Sequence, residues 1–295
     1  MGILNALERA GTVLRQLPSL PWVLSPLDTQ APFSELNARN YPSWGAYAHS
    51  IRATLLPVYD PFRPTPRLPR AKPEGQAIQD GEGWYFINGI CTDRTVLQIN
   101  GQALAELFDR EIQLLHNPSD GIVLDLVECA IGRTMQIVSD LDEGIADILE
   151  DALEHHDKVV LLAHSQGGII GTTALYRLVR RLKAAQKEAL LENVEYYTFA
   201  SAATEFDLEA VYSEHFFHRN DYVAQIGVAG YQACYSGHFF DCEGSGHLLN
   251  THYLTDLREN RYRSKDGAVS RLLGYIPNVA VARETAPLAE VARQA

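Results

Sequence analysis

From residue 83 to about residue 255 the chain alternates two textures of apolar sequence. Short runs such as "GWYFINGI", "EIQLLHNP", "KVVLLAHS" and "VEYYTFASA" are rich in β-branched and aromatic residues, and several stop at Gly, Asn or Pro. Runs of this length and content read as strands. "KVVLLAHS" shows no polar alternation, which marks a strand buried on both faces, as in parallel sheets. "VYSEHFFHRND" and "SGHFFDCEG" add two later strands. Between the runs, apolar residues recur every three or four positions. Leu104, Leu107 and Phe108 share one helical face. Residues 134–156 present Ile137, Val138, Leu141, Ile145, Ile148, Leu149 and Ala152. From about Gly167 to Lys183, Ile169, Ile170, Ala174, Leu175, Leu178 and Val179 turn inward. On the long helix Asp140, Asp142, Glu143, Asp147, Glu150, Asp151 and Glu154 fill the other face, which reads as a solvated surface rather than a metal cluster. This alternation predicts an α/β fold, a mainly parallel open sheet with helices on both faces.

Proline changes the picture before that region. Eleven of the 14 prolines lie between Pro18 and Pro73. Proline fixes φ and lacks an amide hydrogen, so long helices and central strands are not expected there. Residues 1–80 therefore read as a Pro-rich N-terminal arm or cap, 81–258 as the core and 259–295 as a C-terminal extension. The arm's aromatic residues, among them Trp22, Tyr41, Trp44 and Tyr47, argue that it packs on the body rather than staying disordered.

Composition narrows the function classes. At 295 residues, 46% hydrophobic and 21% charged, the chain can bury a sizeable core. A formal charge of −12 disfavours nucleic acid and anionic membrane surfaces as partners. The four cysteines (Cys91, Cys129, Cys234, Cys242) show no CxxC spacing and read as reduced thiols, although Cys234 and Cys242 could pair in an exported protein. No apolar run reaches the roughly 18 residues of a membrane span. Glu8, Arg9 and Arg15 interrupt what would be the apolar region of a secretory signal. A cytoplasmic location is expected, with peripheral membrane contact left open by the apolar spacing of Ile3, Leu4, Leu7, Val13, Leu14 and Leu17. The acids are dispersed and the histidines lack ligand spacing, so neither a metal nor an organic cofactor is implied.

The candidate chemistry lies in "VVLLAHSQGGIIG", Val159 to Gly171. In an open parallel sheet, sites form at the carboxyl ends of strands. Ser165 sits where the most apolar strand turns straight into a helix. Such a bend leaves little room, which accounts for Ala163 two residues before it and Gly167 two after. Gly168 and Gly171 let the helix lie close to the sheet. The bend lifts the hydroxyl above the sheet edge and aims the helix's first amides at whatever binds there.

The pentapeptide A-H-S-Q-G resembles the nucleophile elbow of the α/β-hydrolase superfamily, within it the lipase and esterase-like members whose elbow reads "AHSxGG". The resemblance covers about residues 83–255. It implies a serine hydrolase acting on carboxylic esters, a lipid-like or small-molecule acyl substrate, and partners in the chain order serine, acid, histidine. Asp221, at the end of "HFFHRND", fits the acid; Glu205 and Asp207 compete from one strand earlier. His247, in "EGSGHLLNTHYL" and 26 residues beyond Asp221, fits the base ahead of His252 and His238. The oxyanion hole needs two backbone amides. Gln166 supplies one. The loop "NGI" resembles the family's His-Gly-x, with Asn88 in place of histidine, and assigns the second to Ile90, or else to Cys91. His164 reads as a packing residue. Thioester hydrolysis and acyl transfer would use the same triad, and a non-catalytic binding protein of the same fold is the remaining alternative.

Overall fold

The computed structural model describes residues 22–55, 70–89, 92–117 and 135–277, with isolated positions 15 and 18. Among the described residues, seven strands form one sheet in the order β2-β1-β3-β4-β5-β6-β7. They are β1 (Glu82–Ile87), β2 (Ile112–Leu115), β3 (Lys158–His164), β4 (Val194–Phe199), β5 (Tyr212–His218), β6 (His238–Cys242) and β7 (Arg263–Ser264). All neighbours pair in parallel except β6 and β7. The helices are α1 (Trp44–Leu55), α2 (Arg94–Phe108), α3 (Met135–His155), α4 (Gly167–Ala184), α5 (Tyr222–Ile226), α6 (Thr255–Arg258) and α7 (Arg271–Gly274). A π-helical turn, Leu249–Leu254, runs directly into α6.

The missing alternation in β3 has a direct cause. Val160 and Leu162 point into one core with Phe86, Phe199, Phe216 and the α2 residues Leu97, Leu104 and Phe108. Val159, Leu161 and Ala163 point into a second core with Ile145 and Leu149 of α3 and Leu175 and Leu178 of α4. Both faces are covered, so polar residues have no place in the strand. The mainly parallel sheet with helices on both sides is the α/β layering that the alternation predicts.

Three expectations need correction. The Pro-rich arm does hold a long helix: α1 occupies 12 residues between Pro42 and Pro57, where no proline interrupts it. The acidic face of α3 is not uniformly solvated. Asp142 is buried beside Arg177 (Nε to Oδ2 3.1 Å), while Glu143, Asp147 and Glu150 meet Arg181 of α4. Finally, the core continues past residue 258. Strand β7 adds an antiparallel edge, and Leu272, Leu273 and Ile276 are buried against the first core.

Candidate active site

Strand β3 ends at His164 and α4 begins at Gly167, leaving two residues for the bend. Ser165 takes a left-handed backbone conformation, φ 58°. That is costly for a residue with a side chain and persists only where the surroundings hold it. Here they do. Ser165 donates its N–H to Phe199 O (2.9 Å), and its carbonyl accepts from Gly168 N (2.9 Å) and Ala202 N (3.0 Å). The glycines are required by contact: a Cβ on Gly167 would stand 2.6 Å from Ile87 O, and one on Gly168 would stand 2.2 Å from Ser201 Oγ.

Three separate elements meet at the serine. Asp221 follows β5 and caps α5, its Oδ1 accepting from Val223 N at 2.9 Å. His247 lies in the loop after β6. Its Nδ1 is 2.7 Å from Asp221 Oδ2, and its Nε2 is 2.9 Å from Ser165 Oγ. The carboxylate fixes the tautomer: Nδ1 donates to Asp221, leaving Nε2 to accept from the hydroxyl. Burial pushes the Asp221 carboxyl up, but His247 and the Tyr253 hydroxyl outweigh it, and its pKa lies below the ordinary carboxylate value. Ser165 is 2% exposed, Asp221 0% and His247 8%, so these interactions act in a region of low dielectric.

Two further side chains hold the histidine and its acid. Tyr253 donates its hydroxyl to Asp221 Oδ2 at 2.6 Å, the same oxygen that His247 uses. His164 donates from Nε2 to the carbonyl of His247 at 2.8 Å, with the two rings 4.8 Å apart. Burial, aided by the neighbouring His247 ring, lowers the His164 pKa to about 3, which keeps this ring neutral. His164 is therefore more than packing. Neither role has a sequence signal, since each depends on a contact across more than 30 residues.

The remaining candidates are placed elsewhere. Glu205 and Asp207 are exposed and line an open depression with Ala233, Cys234 and Tyr235. His252 donates from Nε2 to Pro26 O (2.8 Å) while its Nδ1 accepts from Leu248 N (2.9 Å). His238 pairs with Asp266 at 3.1 Å. Gln166 lies between Ser165 and α4, and its Oε1 accepts from Asn117 Nδ2 at 2.7 Å. Ile90 and Cys91 lie outside the described residues. Asn88, just before them, joins the ends of β1 and β2: its Nδ2 donates to Gly89 O and Asn117 O, and its Oδ1 accepts from Asn117 N. Cys234 and Cys242 are unpaired, one exposed and one buried.

Although the histidines lack ligand spacing in sequence, the fold does collect His218, Cys242 and Asp256 in one buried cluster. These groups already answer one another. His218 bridges Gly246 O (2.9 Å) and Asp256 Oδ2 (3.0 Å), Cys242 Sγ is 3.5 Å from that same oxygen, and Arg261 holds Asp256 Oδ1. Among the described residues no helix is long and apolar enough to cross a membrane.

A family model described as "Putative serine esterase (DUF676)" matches residues 128–220, a stretch that includes the Ser165 bend. No curated protein matches the chain. A solved structure titled "Structure of arylesterase" is similar at 12% identity and a TM-score of 0.42, covering 81% of this chain and 93% of that one. Over the stretch that bears the Ser165 bend, the chain is thus similar to a family described as serine esterases.

Proposed function

We propose that the protein is a serine hydrolase that cleaves carboxylic esters through an acyl-serine intermediate, with Ser165, His247 and Asp221 as its triad. The observation carrying this reading is the pair of contacts at His247, 2.9 Å to Ser165 Oγ and 2.7 Å to Asp221 Oδ2. An alcohol is a weak nucleophile at neutral pH and needs a base to take its proton. His247 Nε2 takes it as Ser165 Oγ attacks the acyl carbon, and Asp221 stabilises the imidazolium that forms. The negative charge on the former carbonyl oxygen falls to backbone amides, for which Gln166 and Ile90 are the assignments. His247 then gives its proton to the departing alcohol. Water, activated by the same nitrogen, cleaves the acyl-serine and restores the enzyme.

Replacing Ser165 by Ala removes the nucleophile and leaves the hydrogen-bonded scaffold in place. On p-nitrophenyl esters of several chain lengths, Ser165→Ala lowers kcat by about 10⁴ or more relative to wild type. Wild-type turnover by that variant refutes the mechanism.

A further inference from the structure

The loop that carries His247 is not held by the core alone. Residues 245–252 direct a series of donors at the N-terminal arm, and the arm answers with acceptors. His247 N donates to Val23 O (2.8 Å), Ser245 Oγ to Ser25 O (3.2 Å) and His252 Nε2 to Pro26 O (2.8 Å). Asn250 Nδ2 donates to Phe33 O (2.8 Å), where Phe33 itself takes a left-handed conformation, φ 63°.

At the centre of this contact lies Glu35, 6% exposed and drawn from a segment more than 200 residues upstream. Its Oε1 accepts from Asn250 N (2.7 Å) and from Asn100 Nδ2 (2.8 Å) on α2. Its Oε2 accepts from Thr251 N (3.0 Å) and Thr251 Oγ1 (2.7 Å). Four donors from two elements converge on one carboxylate, and a group that only accepts is what this arrangement requires. The two amides are the second and third of the π-helical turn, so Glu35 fixes the start of the helix that begins two residues after His247. A buried charge is a poor source of net stability, and an apolar side chain of similar size often serves a core as well. What a carboxylate provides here is a defined position for two backbone amides.

We infer that Glu35 is a positioning residue for the proposed triad: the arm, through Glu35 and the Val23 carbonyl, fixes the backbone of the His247 loop from outside, while His164 fixes it from the sheet. This rests on the reading of His247 as the catalytic base. The arm is then part of the site's frame, which differs from a lid that opens over substrate. An imidazole displaced by about 1 Å loses about a hundredfold in rate, so a loosened loop acts on turnover more than on substrate binding.

The test uses the full-length chain and two variants. Glu35→Gln keeps the size but supplies one acceptor oxygen where two were used. Thr251→Val removes a single hydroxyl and leaves both backbone amides in place. For each, a fluorophosphonate probe gives the fraction of sites labelled at completion and the rate of labelling, while p-nitrophenyl butyrate gives kcat and KM. Glu35→Gln is expected to label to the wild-type end point about tenfold more slowly or worse, with kcat reduced in parallel and KM within about twofold. Thr251→Val shifts the same way by a smaller factor. A merely structural carboxylate would lower the labelled fraction and the melting temperature but leave the rate per labelled site unchanged, and that result overturns the inference. If Glu35→Gln does not fold, Thr251→Val decides, and wild-type kinetics in it count against the proposal. A wild-type protein that is never labelled refutes the serine mechanism itself, a distinct outcome.

Discussion

Asp221 owes its chemistry to its neighbours rather than to its residue type. Full burial opposes its charge, yet Val223 N, His247 Nδ1 and the Tyr253 hydroxyl all donate to it. Asp221→Asn keeps the shape but presents an amide hydrogen or a weaker acceptor to Nδ1, which favours the wrong imidazole tautomer. A loss of about 10⁴ in kcat with an intact fold is expected, read by steady-state kinetics alongside circular dichroism. Tyr253→Phe removes one hydrogen bond to the charged carboxylate, worth about 1.5–3 kcal/mol. It should lower kcat about tenfold or more while KM stays near wild type, and unchanged kcat would remove Tyr253 from the account. At this scale the sequence is uneven in what it reveals. Ser165, Asp221 and His247 stand out as candidates because a strand-to-helix bend, a strand-end acid and a Gly-Ser-Gly-His loop occur in one chain order. Tyr253, His164 and Glu35 carry no such mark. Each is defined by partners brought near only when the sheet and arm assemble.

The elements were more legible than the contacts between them. Buried parallel strands and amphipathic helices leave periodicities in the sequence that survive without knowledge of the fold, and β1 through β6 follow them. Proline density averaged over the whole arm hides helix α1, whose 12 residues fall in a proline-free gap. For Asp142, periodicity assigns a face but not the neighbour that covers it, and Arg177 of α4 reaches over it. The close seating of α4 on the sheet gives a test at this level. A methyl group on Gly168 meets Ser201 Oγ at 2.2 Å and Ser201 Cα at 3.1 Å, so the helix must shift away from β4. Gly168→Ala should cost about 1–3 kcal/mol of stability. It should also reduce turnover, because α4 starts two residues after Ser165. Denaturant melts and kinetics on the same preparation check both effects, and wild-type values in each would show that the packing is looser than described.

Across the whole molecule, buried neutral histidines tie stability to pH. Burial lowers His164 to about 3 and His215 to about 4. In the unfolded chain both would titrate near 6.5. Their folded pKa values lie below the unfolded ones, so between about pH 4 and 6.5 the unfolded state holds more protons. Stability from this source is complete above about pH 6.5 and falls as pH drops, by about 1.4 kcal/mol per pH unit for each histidine. Asp221, with its depressed pKa, contributes above its unfolded value of about 3.9 and loses that contribution only as pH falls through its folded pKa. Urea midpoints between pH 7.5 and 4.5 should therefore decline steadily. A flat profile would mean that these rings are hydrated or paired in the native state.

The central claim is that Ser165 is an activated nucleophile with His247 as its base. Its most direct test is intact-mass and peptide-mapping mass spectrometry after brief exposure to a fluorophosphonate, on wild type and on His247→Ala. One adduct per chain, mapped to the peptide bearing Ser165 and formed at least about a hundredfold more slowly in His247→Ala, is the predicted result. An adduct on another residue, or equal rates in the two proteins, would contradict it.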